Sequence, residues 1–341
     1  MNRCFIVPPK VLRHYAQRAK TDAEREALLD ALELSAHLRG QRSVACVATH
    51  APSQAGEKRR TVYDAQHAQK LPGKLVRGEG APVAKDATVN EAYDSAGTTY
   101  DFYFQVLHRN SIDGQGLRID SSVHFGKAYN NAFWNGRQMV YGDGDGKLFV
   151  GFASAIDVVA HELTHGVTQY SVPGGGLTYD GQSGALNESI SDCMGSVVKQ
   201  WKNKQTADDA DWLIGAGIMG KGMGNALRSM RDPGNKAVTW EGDDQPGDMK
   251  GYVPDGDVHT NSGIPNHAFY FAATSLKGSS WEKAGPIWYK SLSLLTPNAT
   301  FTDAATATTQ AAKMLFSSTE VDAVEAAWKK VGVAPGKLGQ V

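Results

Sequence analysis

The sequence contains little cysteine: only Cys4, Cys46 and Cys193 occur among its 341 residues. Small secreted domains held by disulfide bonds carry an even and much denser set, so this chain does not fall into that class. Its fold must therefore depend on a hydrophobic core. Cys193 lies within an apolar pattern of helical spacing, which predicts a buried thiol.

The sequence also lacks an excess of charge of either sign. Lysine and arginine total 35 while aspartate and glutamate total 36, which gives a formal net charge of -1. Proteins that bind nucleic acid or anionic membranes usually present a basic face, so we expect neither partner. Hydrophobic residues make up 41% and charged residues 21%, proportions typical of a globular protein with room for two domains.

Long hydrophobic runs are absent as well. No stretch approaches the roughly 18 apolar residues of a transmembrane helix. The apolar run at residues 5–7 is broken by Pro8 and Pro9, so the N-terminus lacks the hydrophobic region of a classical secretion signal. The sequence therefore predicts neither a membrane anchor nor classical export.

The chain is divided by its patterns into three parts. Thr21 and Glu24 form a capping box ahead of apolar residues at helical spacing, which predicts an amphipathic helix over 21–39. Residues 5–9 before it are predicted to be extended, because proline disfavours helix in the residue that precedes it. A strand-rich part follows, with runs at 44–48, 60–64, 75–77 and 138–141 and a helix at 90–107. The remainder is mainly helical, at 183–201, 261–276, 282–294, 302–316 and 318–331.

An H-E-x-x-H pattern, residues 161–165, lies within a predicted helix that follows the strand-rich part. Residues four apart share one face of a helix, so His161 and His165 can bind one zinc ion. Glu162 is then close enough to act as a general base on a water molecule at the metal. The pattern arises by chance in roughly one chain in a hundred of this length, so neighbouring residues must support it.

A catalytic zinc site needs a third protein ligand and keeps one position for water. The metzincin pattern would place a histidine at position 171, which is Ser171 instead. Glu188 and Asp192 lie four residues apart on one face of the next predicted helix. One carboxylate can bind the metal while the other accepts a hydrogen bond from a ligating histidine. The sequence therefore predicts a zinc site shared by two helices.

Further motifs extend the pattern over most of the chain, at residues 129–136, 139–146, 226–230 and 258–266. Together with the H-E-x-x-H helix they resemble the thermolysin-like metalloproteases over nearly all of residues 60–335. The resemblance implies an α+β fold. A strand-rich N-terminal catalytic domain is expected at 46–170 and a mainly helical C-terminal catalytic domain at 171–341, with the zinc site in the cleft between them.

The resemblance also implies one catalytic Zn²⁺ and a role for each residue around it. His161, His165 and Glu188 match the family's zinc ligands, and Glu162 matches its general base. The implied function is that of a neutral endopeptidase, in which a zinc-activated water hydrolyses peptide bonds of protein or peptide substrates.

Other matched residues surround that centre. Asn187 and Asp192 match the hydrogen-bond partners of the ligating histidines. Tyr179 and His259 match the donors that stabilise the tetrahedral oxyanion, where negative charge develops. These four residues are therefore expected to orient the metal ligands or to take part in catalysis.

Two further sets of residues match positions that line the substrate cleft in the family. Asn131, Ala132 and Arg228 match the residues that hold the substrate backbone. An apolar set matches the family's specificity pocket: Phe149, Phe152, Val158, Ile214, Ile218 and Leu227. The resemblance thus implies a preference for a bulky apolar residue just after the cleaved bond.

The aspartate that orients the family's catalytic histidine is shifted in this chain. Pro254 stands at the matching position, and Asp255 and Asp257 lie on its C-terminal side. We favour Asp255 as the residue that orients His259.

The family's double calcium site is also altered. Asp157 and Asp211 keep two of its carboxylates, but Lys199 and two apolar residues stand at other matching positions. Calcium prefers six to eight oxygen ligands, so we expect this site to be lost and the Lys199 ammonium to replace the cation. A second calcium loop carries Asn225 at its carboxylate position, which leaves calcium dependence uncertain.

Residues 1–45 precede the catalytic domain and look like the short propeptide of the protealysin-type subgroup. We expect them to cover the cleft of a zymogen as an intramolecular inhibitor, and to be removed by self-cleavage near residues 43–48.

Cys4 could cap the zinc as a thiolate, or be an ordinary lone cysteine. Resemblance favours a secreted, extracellular monomer that lacks a recognisable signal peptide, with a cytoplasmic location as the alternative.

Two rival functions are less consistent with the sequence. A zinc aminopeptidase needs an acidic motif such as G-x-M-E-N to bind the free amine of its substrate, and the sequence has none. A protein that only binds zinc would use a closed site with four protein ligands. Such a site would have no need of Glu162, Tyr179 and His259.

Overall fold

The computed structural model of the protein describes residues 4–41 and 54–336. Its strands are β1 (Cys4–Phe5), β2 (Arg60–Asp64), β3 (Lys74–Gly78), β4 (Ile119–Val123), β5 (Ala132–Trp134), β6 (Met139–Tyr141), β7 (Leu213–Ile214) and β8 (Arg228–Ser229). The first six form one sheet in the order β1-β5-β6-β4-β2-β3, and β7 pairs with β8. β4 runs parallel to β2 and β6, whereas the other neighbours are antiparallel.

Helices precede, cover and follow this sheet. They are α1 (Pro9–Arg18), α2 (Asp22–Gln41), α3 (Ala87–Leu107), α4 (Ile156–Ser171), α5 (Gly181–Asn203), α6 (Val258–Asn261), α7 (Gly263–Leu276), α8 (Ala284–Ser291), α9 (Phe301–Leu315) and α10 (Ser318–Lys330). Short 3₁₀ turns occur at Ala216–Ile218, Met249–Gly251 and Leu292–Leu294. Within the described ranges, no helix combines the length and apolar composition needed to cross a bilayer.

Most predicted elements are present, with ends that differ by a few residues. β2 covers residues 60–64 as predicted, while the helix predicted at 90–107 begins at Ala87. It starts earlier because the Asp86 carboxylate accepts a hydrogen bond from Thr88 N at 2.9 Å and caps the helix. The single helix predicted at 261–276 is divided at Ser262 into α6 and α7. The strand predicted at 44–48 and the expected cleavage region lie outside the described residues.

The N-terminal segment contains a helix that the sequence pattern did not predict. Residues 5–9 were expected to be extended, but α1 begins at Pro9. Proline is well suited to the first position of a helix, where its missing N–H would have no partner in any case. Val11, Leu12 and Tyr15 form the buried face of α1. The capping interaction predicted for α2 is present, since Glu24 N donates to Thr21 Oγ1 at 3.2 Å.

β1 adds an edge strand to the sheet directly beside the H-E-x-x-H helix. Cys4 pairs with Trp134 and Phe5 with Phe133 of β5, and the two phenylalanine rings are 5.0 Å apart. Part of the predicted propeptide therefore belongs to the main sheet. The side chain of Cys4 lies outside the described part of the chain, so the thiolate-cap hypothesis stays a prediction.

The two helices that carry the predicted metal ligands are closely packed. Every residue of α4 from Ile156 to Gln169 is buried. α5 approaches it at Gly195, where a Cβ atom would lie 2.6 Å from the carbonyl oxygen of Asp157. Only glycine permits this approach. The short distance between the helices lets side chains of α4 and α5 converge on one point.

Candidate metal centre and active site

The imidazole rings of His161 and His165 meet on one face of α4. Their Nε2 atoms are 3.0 Å apart, and both side chains are buried. Glu188 of α5 points to the same place, with Oε2 3.5 Å from His161 Nε2 and Oε1 3.6 Å from His165 Nε2. Among the described residues, these three form the group of possible ligands whose atoms all lie within 4.8 Å of one another.

The second nitrogen of each ring is already used. His161 Nδ1–H donates to Asp192 Oδ1 at 2.8 Å, and His165 Nδ1–H donates to Asn187 Oδ1 at 2.8 Å. Each Nε2 can therefore present a lone pair to a metal. Glu188 Oε2 is buried and accepts no hydrogen bond from the described residues, although His259 Nε2 lies 3.3 Å away. A buried carboxylate oxygen in this position is costly unless a cation compensates. Two imidazoles and a carboxylate form a donor set that suits zinc.

Asp192 connects the ligands to the rest of the core. Besides His161, its carboxylate accepts from Arg228 Nε at 2.9 Å, from Arg228 Nη2 at 2.8 Å and from Asn266 Nδ2 at 2.8 Å. Burial would raise the pKa of Asp192, but Arg228 and His161 outweigh it and hold that pKa well below its usual range. Burial would likewise raise the pKa of Glu188, and the neighbouring histidines lower it to about 2. Both carboxylates are therefore ionised at neutral pH.

Glu162 forms a hydrogen bond with β5. Its side chain is fully buried, and its Oε2 accepts a hydrogen bond from Trp134 N at 2.8 Å. This bond orients the carboxylate at β5, the strand that pairs with β1. A base in this position can act on a water molecule next to a peptide that pairs with β5.

Tyr179 and His259 both lie close to the Glu188 carboxylate. Tyr179 OH donates to Glu188 Oε1 and lies 3.4 Å from His259 Nε2. His259 Nε2–H donates to the carbonyl oxygen of Phe5 at 2.9 Å. Burial would lower the pKa of His259, but the carboxylates of Glu188 and Asp257 raise it. The ring can therefore donate hydrogen bonds from both nitrogens.

The prediction that Asp255 orients His259 is wrong. Asp257 Oδ1 accepts from both Nδ1 and the backbone N of His259, at 2.8 and 2.9 Å. Asp255 is exposed, and its backbone is in the left-handed region with a φ of 56°. Asp257 occupies the N-cap of α6, where aspartate is preferred. A capping argument applied at this point would have selected it from the sequence.

The residues predicted to hold a substrate backbone contact the chain's own N-terminal segment. Asn131 binds both backbone groups of Val7: its Oδ1 accepts from Val7 N at 3.0 Å and its Nδ2 donates to Val7 O at 3.1 Å. Ala132 O accepts from Ile6 N at 3.3 Å. Arg228 Nη1 donates to Ile6 O at 3.1 Å. Residues 5–7 are thus bound in the manner expected of a peptide.

The six residues of the predicted specificity pocket are all buried. The rings of Phe149 and Phe152 are 5.7 Å apart. Leu227 N donates to Ile214 O at 3.0 Å, and Ile218 O accepts from the residue after Phe149. These contacts bring Phe149 close to Phe152 and Leu227 close to Ile214, while Val158 lies on α4. Its role in selecting substrates stays a prediction.

Three contacts of the site were not anticipated from the sequence. Asn266 reaches Asp192 from α7, and Ser191 Oγ lies 3.0 Å from His165 Nδ1. The backbone N–H of Trp134 holds Glu162. Asn266 and Trp134 are distant in sequence from their partners, so no local spacing rule indicates them.

Lys199 lies among oxygen atoms at the start of α4. Its Nζ is 2.8 Å from Asp211 Oδ1 and 3.7 Å from Asp157 Oδ2, and it donates to Leu213 O at 2.7 Å. Asp157 is only 3% exposed. The ammonium therefore makes both predicted pairs, while its replacement of a calcium ion stays a prediction.

Two family descriptions match the chain and together cover most of it. The thermolysin metallopeptidase catalytic domain matches residues 43–169. The thermolysin metallopeptidase alpha-helical domain matches residues 175–333. The division between them lies close to the predicted change from a strand-rich to a helical part.

Similar proteins and one solved structure agree with these matches. An extracellular metalloprotease from Pectobacterium carotovorum subsp. carotovorum is 47% identical over 346 residues, which cover 97% of this chain and 96% of that relative. A thermolysin from Alicyclobacillus acidocaldarius subsp. acidocaldarius is 43% identical, over 80% of this chain and 50% of the relative. The precursor of protealysin, a metalloproteinase from Serratia proteamaculans, is 46% identical with a TM-score of 0.87, over 97% of this chain and 100% of that chain. The predicted fold class is confirmed.

Proposed function

This chain belongs to the thermolysin metallopeptidase family and is a metalloendopeptidase, and we propose that it is the precursor of a neutral zinc endopeptidase whose N-terminal residues occupy its own cleft. The observation that carries the proposal is the convergence of His161, His165 and Glu188 beside a bound peptide segment. The three metal-binding residues alone would be equally consistent with a metal that has only a structural role. A peptide backbone held next to it supports hydrolysis.

The reaction proposed is addition of water to the peptide carbonyl and cleavage of its C–N bond. When bound, zinc supplies Lewis-acid chemistry, because it lowers the pKa of a water molecule and polarises a carbonyl. Glu162 accepts the proton of the attacking water. It can then pass this proton to the leaving nitrogen, which completes the balance of the reaction. The hydrogen bond from Trp134 N keeps its carboxylate at the strand edge where the peptide runs.

Phe5 supports an assignment of the reacting carbonyl. Its oxygen lies 2.9 Å from His259 Nε2, and Tyr179 OH lies close to the same nitrogen. Both groups can donate to the oxygen of a tetrahedral intermediate as negative charge develops. The Phe5–Ile6 bond therefore corresponds to the cleaved bond of a substrate, with Ile6 just after it.

The N-terminal segment acts, in this proposal, as an intramolecular inhibitor. Ile6 and Val7 use the hydrogen bonds of Asn131, Ala132 and Arg228 that a substrate needs. A peptide cannot enter the cleft until these bonds are released. The segment is tethered to the catalytic part, so its effective concentration is high and it competes strongly with free substrate.

Substrate preference offers a test of the proposed function. The residue after the cleaved bond corresponds to Ile6, which is fully buried, and the predicted pocket is apolar throughout. We expect the processed protein to cleave peptides with leucine, isoleucine or phenylalanine at this position roughly 10–100 times faster than those with alanine. The measurement is kcat/KM on a peptide series that varies only this residue. A preference for acidic or basic residues there would contradict the assignment.

Lys199 is proposed to replace the family's calcium. Removing its charge with Lys199→Met leaves Asp157 buried without its cation, although Gly215 N still donates to Asp157 Oδ2 at 2.9 Å. We expect the free energy of unfolding to fall by about 1–3 kcal/mol, measured by denaturant unfolding. Lys202→Met, an exposed position on the same helix, serves as the control. Strong stabilisation of the wild-type chain by calcium would count against the replacement.

The extracellular location of the relative described above supports release of this protease from the cell. We propose that the mature form acts outside the cell. Detection of the processed protein in the cell fraction alone, with none in the medium, would argue for the cytoplasmic alternative.

A further inference from the structure

The N-terminal segment and the wall that it covers have opposite charges. Residues 5–20 contain Lys10, Arg13, Arg18 and Lys20 and no acidic residue. Lys10, His14 and Arg18 are spaced four apart, so they share one face of α1. Opposite this face lies a run of four residues, 241–244, in which Glu241, Asp243 and Asp244 are acidic. We call these three residues the acidic flank.

The basic face of α1 is seated on the acidic flank. Lys10 Nζ pairs with Asp244 and also donates to Thr260 Oγ1 at 2.9 Å. His14 Nε2–H donates to Glu241 Oε1 at 2.8 Å. These contacts reach the active site, because Thr260 is the neighbour of His259. Arg18 extends the row: its Nη1 donates to His14 Nδ1 at 3.1 Å, and its Nε lies 3.6 Å from Glu241 Oε1.

Asp243 indicates independently that this wall favours a cation. It is only 1% exposed, and its Oδ2 accepts no hydrogen bond from any residue in the described part of the chain. Burial raises its pKa, hydrogen bonds from Gln245 N and Thr239 oppose that rise most, and the charges of Lys10 and Arg228 oppose it further. These hydrogen bonds hold the carboxylate in part, and the positive charge of Lys10 adds to its stabilisation.

Apolar packing is incomplete around this contact. A groove of about 630 Å³, open to solvent, lies between the N-terminal helices and the catalytic part and is lined in part by Tyr15, Leu28, Leu148 and Met223. Apolar contact between the two parts is therefore incomplete here. On the α2 side of the groove, Lys147 Nζ pairs with Glu24 Oε1 at 2.6 Å. Ion pairs therefore lie on both sides of this groove: those of α1 with the acidic flank, and the pair of Lys147 with Glu24.

We propose that the acidic flank is a docking surface for basic peptide segments, and that α1 is the segment which occupies it in the intact chain. The charge contacts are exposed enough to be screened, since the side chains of Asp244 and Glu241 are 61% and 59% exposed. Salt or a competing cationic peptide therefore releases α1. That this release also opens the cleft to substrate rests on the proposed function; the docking itself does not.

Hydrogen exchange on the full chain tests the docking. Glu162→Gln is used as the parent, so that the N-terminus is retained, as intact mass will verify. An isolated helix as short as α1 is marginal in water, so undocking exposes its amides to exchange. We expect these amides to exchange about tenfold faster when salt is raised from about 0.01 M to about 1 M, because screening shortens from about 30 Å to about 3 Å. Amides of α9 report any global loss of stability.

Adding charged peptides distinguishes competition for the acidic flank from screening of all charges by salt. An oligolysine peptide is expected to accelerate exchange in α1, whereas an oligoglutamate peptide at equal ionic strength is not. The double variant Glu241→Gln/Asp244→Asn should exchange fast already at low salt, with no further response to oligolysine. The control double variant Asp208→Asn/Glu325→Gln removes two exposed charges elsewhere and should behave as the parent.

Exchange in α1 that responds to neither salt nor oligolysine, and is equal in all variants, would overturn the proposal. It would show that the apolar face of α1 and the cleft strand hold the segment without help from charge. If the flank variant fails to fold, the salt and peptide arms on the parent decide alone. Because no step requires catalysis, this outcome is independent of the peptide assays that test the proposed function.

Discussion

Replacing Glu162 with glutamine is expected to lower kcat/KM for peptide hydrolysis by a factor of roughly 10²–10⁴, the range found for a lost general base. Glutamine cannot take the proton of the attacking water. Its side-chain oxygen can still accept from Trp134 N, the bond that now orients the carboxylate at 2.8 Å. The loss should therefore come from chemistry and not from a displaced strand. It is measured on a fluorogenic peptide after an added protease has removed the N-terminal segment from both the wild type and Glu162→Gln.

Two controls identify the cause of that loss. Zinc content should be unchanged in Glu162→Gln, because His161, His165 and Glu188 are intact. Glu57→Gln, at an exposed position, should retain wild-type activity. Activity of Glu162→Gln within a few-fold of wild type would remove Glu162 from its proposed role as the base.

Asp192→Ala is expected to have the largest effect on stability. The change leaves the Arg228 guanidinium buried without its carboxylate, and removes the acceptor that orients His161 and Asn266. Loss of one partner from a buried ion pair typically costs about 3–5 kcal/mol. Loss of an orienting partner lowers metal affinity about 10–100-fold. Denaturant unfolding of the metal-free protein and zinc titration measure the two effects separately.

A second substitution tests the reason for this destabilisation. Adding Arg228→Met to Asp192→Ala removes the unpaired cation, so the double variant should be more stable than the single one. This comparison concerns unfolding alone, because Arg228 is also proposed to bind substrate. A cost below about 1 kcal/mol for Asp192→Ala, or a double variant less stable than the single, would contradict the assigned ion pair.

The metal-binding residues could be predicted from the sequence because their geometry is local. Two histidines four apart must share a helix face, and so must Glu188 and Asp192 on the next helix. Only the pairing of the two helices had to come from the tertiary fold. Gly195 allows α5 to approach α4 closely. Its position in the sequence does not indicate that α4 is the helix against which it packs.

Three features were not predicted from the sequence: the start of α1, the partner of His259 and the contact between Val7 and Asn131. Two of them depend on competing local rules, and the third depends on a contact between distant residues. Pro8 and Pro9 predict an extended segment at residues 5–9 because proline disfavours helix in the residue before it, but proline also favours the first turn of a helix. Asp255 was preferred to Asp257 by comparison with the family's spacing, whereas helix capping selected Asp257. Val7 meets Asn131 from 124 residues away, and no periodic pattern reports such a pairing.

In the proposed function, the zinc endopeptidase becomes active when residues 5–7 leave its cleft. The most direct test follows the zinc-loaded full chain over time, with intact mass and hydrolysis of a fluorogenic peptide recorded on the same samples. We predict that activity rises in step with loss of the N-terminal segment in the wild type, and that Glu162→Gln keeps both its mass and its latency. Full activity from a chain that retains residues 1–45 and keeps β1 paired with β5 would contradict the account.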